Sequence, residues 1–431
     1  MSRAAITTTA TKQAGKILEW KELNKFIQTK KKDLINGQTN PQSRIRLFNK
    51  TEKDVRVILY RDNHVWCPYC QKVWMFLEEK EIPFKVEKVS MFCYNDKERW
   101  YLKKVPRGML PAVELDGKVI TESDVILQRL EDTFGVLYKS MKDRNVMQLR
   151  NLERHLFGAW CQWLCYPSRS KREEKRSKDQ FIQAAKIVDE VLGNEDGPFF
   201  LPEFSIVDCI FIPYVERMNA SLYYYKGFNL RDEKEFPNLY NWFNGIESRS
   251  TYKGTQSDFH THVHDLPPQM GGCFEAISPA QQIAKKKVDN GPWNDLNDCL
   301  YDENELEDDP KQIALERMLL FKSNVIKANP MRNKFDLPLR QAMTYMMTGQ
   351  KCEGTVHDMD NDKIAQSLRY LRDRINVPRD MPIHAGRYTR SALEEIAAMY
   401  SDKQSDPLPI DHRRDQNPVL FHGKARKPDY Q

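Results

Sequence analysis

No run of eighteen apolar residues occurs in the 431-residue chain. The best candidate, Phe199 to Val215, is interrupted by Pro202, Glu203, Asp208 and Pro213, so it reads as core and no membrane span is expected. A strong charge of either sign is also missing: 67 basic side chains against 61 acidic ones leave +6. That excess is too mild to argue for nucleic acid. Nine cysteines, scattered and odd in number, do not build a secreted disulfide framework, and a reducing compartment fits them better. No apolar h-region follows Met1, so no secretory signal is read. Met1 to Lys16 holds Ser, Thr, Ala, Arg3 and two lysines, with no acid before Glu19. That is weakly transit-like and equally the make-up of an ordinary polar terminus, which is the reading taken. The cytoplasm is the expected location, with plastid or mitochondrion as the alternative. What remains is a polar chain of mean hydropathy -0.69, long enough for about two or three domains.

One stretch organises that chain: Val65-Trp66-Cys67-Pro68-Tyr69-Cys70-Gln71-Lys72-Val73. Before it, Val55 to Tyr60 is an apolar, β-branched run that reads as a buried strand. After it, Val73, Phe76 and Leu77 recur at helical spacing, with Glu78, Glu79 and Lys80 expected on the solvent side. Pro68 falls at the first helical position, where its missing N–H costs nothing. Cys67 would then sit at a helix N-terminus, whose dipole and free N–H groups favour thiolate over thiol. Cys67 is therefore expected to be an exposed, acidic nucleophile. Cys70, one turn further in, is placed to attack a mixed disulfide on Cys67 and resolve it. Half of a zinc site is the competing reading, but no second C-x-x-C exists in the chain. No metal is expected.

Downstream, Ile82-Pro83 ends the helical pattern and Phe84 to Glu87 alternates like a second strand. Ala112 to Leu115 and Val119-Ile120 flank Asp116-Gly117, a two-residue hairpin signal. Thr121-Glu122-Ser123-Asp124 opens another helix. The order β-α-β-α-β-β-α, with four strands, predicts a thioredoxin-like α/β domain over 55–138. From Asp143 to Asp258 the pattern is helical: Leu149, Leu152, Leu156, Trp160 and Trp163 share one spacing, and Ser205-x-x-Asp208 is a capping-box pattern. Trp160, Trp163, Tyr166 and Tyr223 to Tyr225 read first as core and second as the lining of a co-substrate site. Ser168 to Lys178 reads as a solvated helix or loop and not as a nucleic-acid surface.

The residues Cys67-Pro68-Tyr69-Cys70, Lys97, Leu110-Pro111 and Glu122-Ser123 together resemble the N-terminal domain of the cysteine-type glutathione transferases (omega, lambda, dehydroascorbate-reductase and iota-like) and of glutaredoxins. The resemblance implies that Pro111 is cis and that Leu110 pairs its backbone with the cysteinyl unit of glutathione. It implies that Glu122 and Ser123 hold the γ-glutamyl end and Lys97 the glycyl carboxylate. A Ser/Thr-x-x-Asp box also opens a buried helix in the family's helical domain, which extends the resemblance to about Phe259. The fold expected is an α/β thioredoxin-like domain, then an all-α glutathione-transferase domain over 139–259, each with its own core. The function implied is a glutathione-dependent thiol transferase or reductase, with glutathione as co-substrate and a small thiol, disulfide or electrophile as the second partner. The alternative is a non-catalytic scaffold of that fold, docking through its C-terminal region. Transferases of this fold usually dimerise, although no interface can be read here.

Residues 1–54 are expected to be a surface extension, with a short helix around Ile17 to Ile35. His260-Thr261-His262-Val263-His264, extended, would put three imidazoles on one face as metal ligands do. Pro267-Pro268 and Gly271-Gly272 beside it favour a surface linker. The rest of 260–431 is expected to be a mostly helical extension of unknown role. Its helices fall at Pro310 to Lys327, Leu339 to Met347, Asp360 to Arg374 and Ser391 to Tyr400, with an extended tail over Asp406 to Gln431.

Overall fold

The computed structural model of the protein describes residues 15–28, 32–306, 308–352 and 360–403. The start of the N-terminal extension and the expected tail over Asp406 to Gln431 lie outside the described residues. In chain order the elements are α1 (Trp20–Leu23), β1 (Ile45–Arg46), β2 (Val57–Asp62), α2 (Pro68–Glu79), β3 (Phe84–Val89), α3 (Arg99–Lys104), β4 (Ala112–Leu115), β5 (Lys118–Thr121) and α4 (Ser123–Phe134). Helices follow: α5 (Arg144–Leu164), α6 (Lys171–Leu192), α7 (Ile206–Ser221), α8 (Pro237–Glu247), α9 (Ser250–Lys253), α10 (Phe259–Met270) and α11 (Pro279–Asn290). The last are α12 (Pro310–Ala328), α13 (Asp336–Thr348), α14 (Asn361–Arg372) and α15 (Ile383–Tyr400). Among the described residues no helix is long and apolar enough to cross a membrane.

The chain forms two compact units. The larger gathers the described residues of 30–307 together with 375–387, and the smaller the remainder. In the smaller unit, α12 and α13 pack together and α1 lies on α13. There the Trp20 indole donates to Asp336 at 2.7 Å and the Leu18 N–H to Thr344 Oγ1 at 3.0 Å. The four helices expected beyond residue 310 are all present as α12 to α15.

The larger unit is built on a sheet of order β1-β3-β2-β4-β5. Strand β2 runs parallel to β3, with Val57 opposite Phe84, and antiparallel to β4, with Tyr60 opposite Ala112. The crossover between β2 and β3 is α2, as a parallel pair requires. Asp116 and Gly117, at φ 50 and 80, close the β4–β5 hairpin with both central residues left-handed, the geometry that matches strand twist. One face of the sheet takes α2 and α4; the other buries Tyr60, Val89 and Ala112 against Tyr101 and Val105 around α3. Helix α7 is buried on every side and packs on α2, α5 and α10. The expected thioredoxin-like layer followed by a helical layer is what the chain forms.

Four expectations are corrected. The sheet has five strands: Ile45–Arg46 from the supposed surface extension pairs antiparallel with β3. Arg46 is there because Glu78, expected on the solvent side of α2, is buried. Its carboxylate takes the Arg46 guanidinium at 3.0 Å, the Trp74 indole at 3.0 Å and the Thr39 hydroxyl at 3.0 Å. A buried carboxylate needs such partners, and the extension supplies two of them. The helix expected over Ile17 to Ile35 shrinks to Trp20–Leu23 and a single 3-10 turn. The histidine segment is neither strand nor linker but α10, capped by Asp258 accepting from the Thr261 N–H at 2.8 Å. On a helix His260 and His264 stack one turn apart, ring centroids 4.6 Å, while His262 faces Glu216 at 3.0 Å. Helical periodicity therefore splits the three imidazoles between two faces.

The capping box of α7 forms as expected, and its Asp208 generates a test. Burial pushes this carboxyl up to about 6, opposed by bonds from the Trp242 indole and the Ser205 N–H. With a folded value above the unfolded one near 3.8, the native state binds the proton more tightly, so stability falls as pH rises through that interval. The whole loss is about 3 kcal/mol, of which about 2 kcal/mol falls between pH 4 and 6. Urea denaturation across this range should show that slope, and Asp208→Asn, which keeps an acceptor oxygen at the cap, should flatten it. An unchanged slope in the variant would rule Asp208 out as its source.

Candidate active site

Strand β2 delivers Asp62 at its C-terminal end, and the loop that follows turns back with Val65 at φ 61. Asp62 Oδ2 accepts the N–H groups of Trp66 at 2.6 Å and Cys67 at 3.2 Å, so the loop is folded over a buried carboxylate. Cys67 is the extended N-cap of α2, Pro68 its first residue, and the Gln71 N–H returns to the Cys67 carbonyl at 3.0 Å. The sulfurs of Cys67 and Cys70 and a carboxylate oxygen of Asp62 all lie within 4.8 Å of one another. Both cysteines are free thiols. Cys67 keeps 7% of its surface and Cys70 2%. The expected exposed position of Cys67 is thus corrected to a buried one: Arg217 from α7 donates to the Trp66 carbonyl and lies 4.7 Å over the Trp66 ring, covering the loop. Burial pushes the Cys70 thiol well up, and its bond to the Cys67 sulfur and the nearby Asp62 charge act in the same direction.

The other residues singled out from the sequence lie around the same strand ends. Leu110–Pro111 is a cis peptide directly before β4. It leads into Ala112, which pairs with Tyr60 of β2 on one side and Thr121 of β5 on the other. Glu122, at φ 66, is the N-cap of α4, and Ser123 its buried first residue. The neighbouring Asp124 pairs with Lys72 of α2 and with Arg150 of α5 at 2.7 Å, fixing the two helix starts against each other. Lys97 donates to the Ser90 carbonyl at 2.8 Å and passes over Gly108, where a Cβ would come within 2.8 Å of its Cδ. Burial pulls the Lys97 ammonium down, and the charges of Cys70 and Cys67 oppose that. Trp160, Trp163, Tyr224 and Tyr225 are core, whereas Tyr69 stays 41% exposed beside the cysteines and meets Tyr214 edge-on at 5.9 Å.

Sequence reasoning missed the support around this loop. Arg217 Nη1 donates to Gln71 Oε1 at 3.0 Å, and Gln71 Nε2 to Glu216 Oε2 at 2.9 Å. Glu216 Oε1 in turn takes the Ser257 N–H at 2.6 Å and faces His262. His64 accepts from Arg379 at Nδ1, 3.0 Å, which leaves its Nε2–H for Asp265 at 2.8 Å. Asn376 Nδ2 reaches the same Asp265 oxygen at 3.1 Å. Asp62 had a readable signal, an acid ending an apolar strand just before C-x-x-C. The rest had none, because their partners lie from 41 to 315 residues away in the chain.

A thioredoxin-like sheet carrying C-P-Y-C at a helix N-terminus, with a cis-proline leading into β4 and a helical layer behind, defines a class of two-layer thioredoxin-like proteins. Comparison narrows the class. Residues 66–133 match the family model "Glutathione S-transferase, N-terminal domain" and 172–245 match "Glutathione S-transferase, C-terminal domain". Together the two matches span about a third of the chain, and both domains of the glutathione S-transferases are represented in it. It is 27% identical over 192 residues to Glutathione S-transferase DHAR2 of Arabidopsis thaliana, covering 44% of this chain and 84% of that protein. It is 28% identical over 195 residues to Glutathione S-transferase L3 of Arabidopsis thaliana, covering 44% and 79%. Among solved structures, glutathione transferase Omega 3C from Trametes versicolor aligns at 25% identity, covering 47% of this chain and 90% of that one, with a TM-score of 0.41. Each alignment leaves about half of this chain unmatched.

The packing bears on where the catalytic unit ends. A boundary near Phe259 leaves out α10, which covers α7, and residues 375–387, whose Arg379 donates to His64 and whose Asn376 donates to its partner Asp265. A chain ending at residue 259 is therefore expected to aggregate, because it uncovers the apolar face of α7 and strips buried Glu216 of His262. Soluble yield and size-exclusion profile check this. A monodisperse, folded product would place the boundary at Phe259 after all.

Proposed function

We propose that the protein is a glutathione-dependent thiol transferase or reductase, acting on glutathione mixed disulfides or small oxidants through Cys67. The observation that carries this reading is the cluster of two thiols and one carboxylate within 4.8 Å at the N-terminus of α2, next to the cis Leu110–Pro111 bond. The Cys67 thiolate attacks the glutathione sulfur of a mixed disulfide. A Cys67–glutathione bond forms, the substrate S–S bond breaks, and the substrate sulfur leaves with the electron pair and takes a proton. A second glutathione thiolate then attacks that intermediate, releasing glutathione disulfide and restoring Cys67. The dithiol branch runs through Cys70 instead: its proton passes to Asp62, its sulfur attacks Cys67, and glutathione leaves. Leu110, held by Pro111, would pair with the peptide backbone, while Glu122 and Ser123 take the γ-glutamyl end. Lys97 would take the glycyl carboxylate. The scaffold alternative draws on the separate helical unit; turnover of a glutathione mixed disulfide by the reduced protein would dismiss it.

Ser123→Ala and Glu122→Gln should each raise the Michaelis constant for glutathione while the fold persists. Each lost charge-assisted bond is expected to cost about 1.5–3 kcal/mol. Unchanged glutathione affinity in a folded double variant removes both residues from the site.

The two thiols separate by mass spectrometry after exposure to glutathione disulfide. Cys70→Ser should carry a stable glutathione adduct on Cys67 and keep monothiol turnover. Cys67→Ser should carry none within C-P-Y-C and lose turnover. Asp62→Asn should leave monothiol turnover intact and slow formation of the Cys67–Cys70 disulfide, since the buried Cys70 proton then has no acceptor. Full activity without Cys67 would overturn the mechanism.

A further inference from the structure

The segment joining α10 to α11 is pinned by its backbone against the helical layer. The Phe274 N–H bonds the Leu164 carbonyl at the end of α5 at 2.9 Å, and the Ala276 N–H bonds the Tyr225 carbonyl at 2.8 Å. Next to Tyr225, Lys226 pairs with Glu174 in the first turn of α6 at 3.0 Å. The segment therefore borders the start of α6, yet it does not bury its large side chains there. Ile277 is 82% exposed and Ile283, on α11, 68%, higher than every other large apolar side chain among the described residues. Phe274 is exposed at the first backbone anchor, and so is Tyr166, two residues past Leu164. Glu275 pairs with Lys285, which lies 5.7 Å over the Tyr224 ring, so α11 is tied to the same segment. Single exposed apolar residues need no explanation, but a group of four large ones does.

The charge beside this group has one sign. Helix α6 opens on Lys171, Arg172, Lys175 and Arg176, a spacing that lines one side of a helix, with Arg169 just before it. All five are exposed, and among the described residues none of them enters an ion pair. The acids of the same run are engaged locally. Glu174 takes the Trp163 indole at 2.8 Å, the Ser168 hydroxyl at 2.7 Å and Lys226, while Glu173 accepts the Arg169 N–H at 2.7 Å.

We propose that this face docks on an anionic lipid bilayer, the α6 cations meeting the headgroups while Ile277, Ile283, Phe274 and Tyr166 enter the boundary between headgroups and acyl chains. Projecting side chains of this kind fit a medium that gives way around each of them, whereas a folded acidic partner would need a matching hollow for every one. The charge is complementary to an anionic leaflet, which draws exposed Lys and Arg over about a Debye length. Neither signal alone anchors firmly; buried apolar area and electrostatic attraction add. Tyr166, an apolar ring with a polar tip, suits the interface itself. The proposal is independent of the chemistry at Cys67.

The experiment mixes the full-length protein with vesicles of phosphatidylcholine alone, or of phosphatidylcholine with phosphatidylserine, and reads the bound fraction by co-sedimentation. The protein should bind the second kind and not the first, and binding should weaken as salt rises from about 0.1 to about 0.5 M. Arg172→Gln and Lys175→Gln should each weaken it about fivefold. Ile277→Ser with Ile283→Ser should weaken it at least about tenfold. Both isoleucines stand in water, so the melting temperature of that variant should stay close to that of the unaltered protein. Equal binding to both kinds of vesicle, binding to neither, or anionic binding indifferent to the isoleucine variant overturns the proposal. Retention on polyglutamate without binding to vesicles would assign the cations to an acidic protein and overturn it likewise.

Discussion

The carboxylate of Asp62 is almost entirely out of water, and a buried carboxylate persists only where donors surround it. Two of its donors are backbone N–H groups of the loop it precedes, those of Trp66 and Cys67. Satisfying them bends the chain back over the strand end and puts Val65 in the left-handed region. That bend starts α2 at Pro68 and places the sulfur of Cys67 at the helix mouth. The same carboxylate then lies beside both sulfurs, so one side chain shapes the loop and would serve the proposed reaction as proton acceptor. Removing its charge while keeping its shape should therefore affect proton transfer without unfolding the loop.

A buried anion of this kind invites buried cations. Arg61 and Arg217 are both enclosed, and burial pulls each below its usual value, with Asp62 among the charges that oppose the pull. Arg217 comes from α7, the one helix in the unit that is buried all round. Its neighbour Glu216 balances it, and Gln71, Ser257 and His262 use the remaining Glu216 capacity. Each group in the chain of contacts depends on the next for its pairing. The loop is therefore fixed from the helical layer as well as from the sheet.

Much of this was legible in the sequence, for a physical reason. Strand β2, helix α2, the Asp116-Gly117 hairpin and the Ser205–Asp208 box are local patterns, decided by residues within one or two turns. Helices α12 to α15 could be placed in the same way. The residues proposed to hold glutathione were named through their combined resemblance, not through any single signal. What failed was long-range. Glu78 reads as a surface acid on α2 until Arg46 arrives from the extension, and the histidines read as a linker until α10 packs on α7. Periodicity cannot report that a charged residue has a buried partner elsewhere, and the misreadings of Glu78 and of the histidine segment turn on such partners.

Residues 375–387 show how far that reaches. They follow the helices of the smaller unit in the chain, yet they belong to the larger one. Asn376 and Arg379 close around His64, three residues before Cys67, and the Val377 N–H bonds Thr261 on α10 at 3.0 Å. The loop bearing Cys67 is thus braced by Asp62 from within and by this returning segment from outside. A transferase-like domain pair could have held its loop with its own residues. Here part of that task has passed to chain beyond residue 260, so the C-terminal region cannot be read as an appendage: its later segment is among the contacts that hold His64, three residues before Cys67.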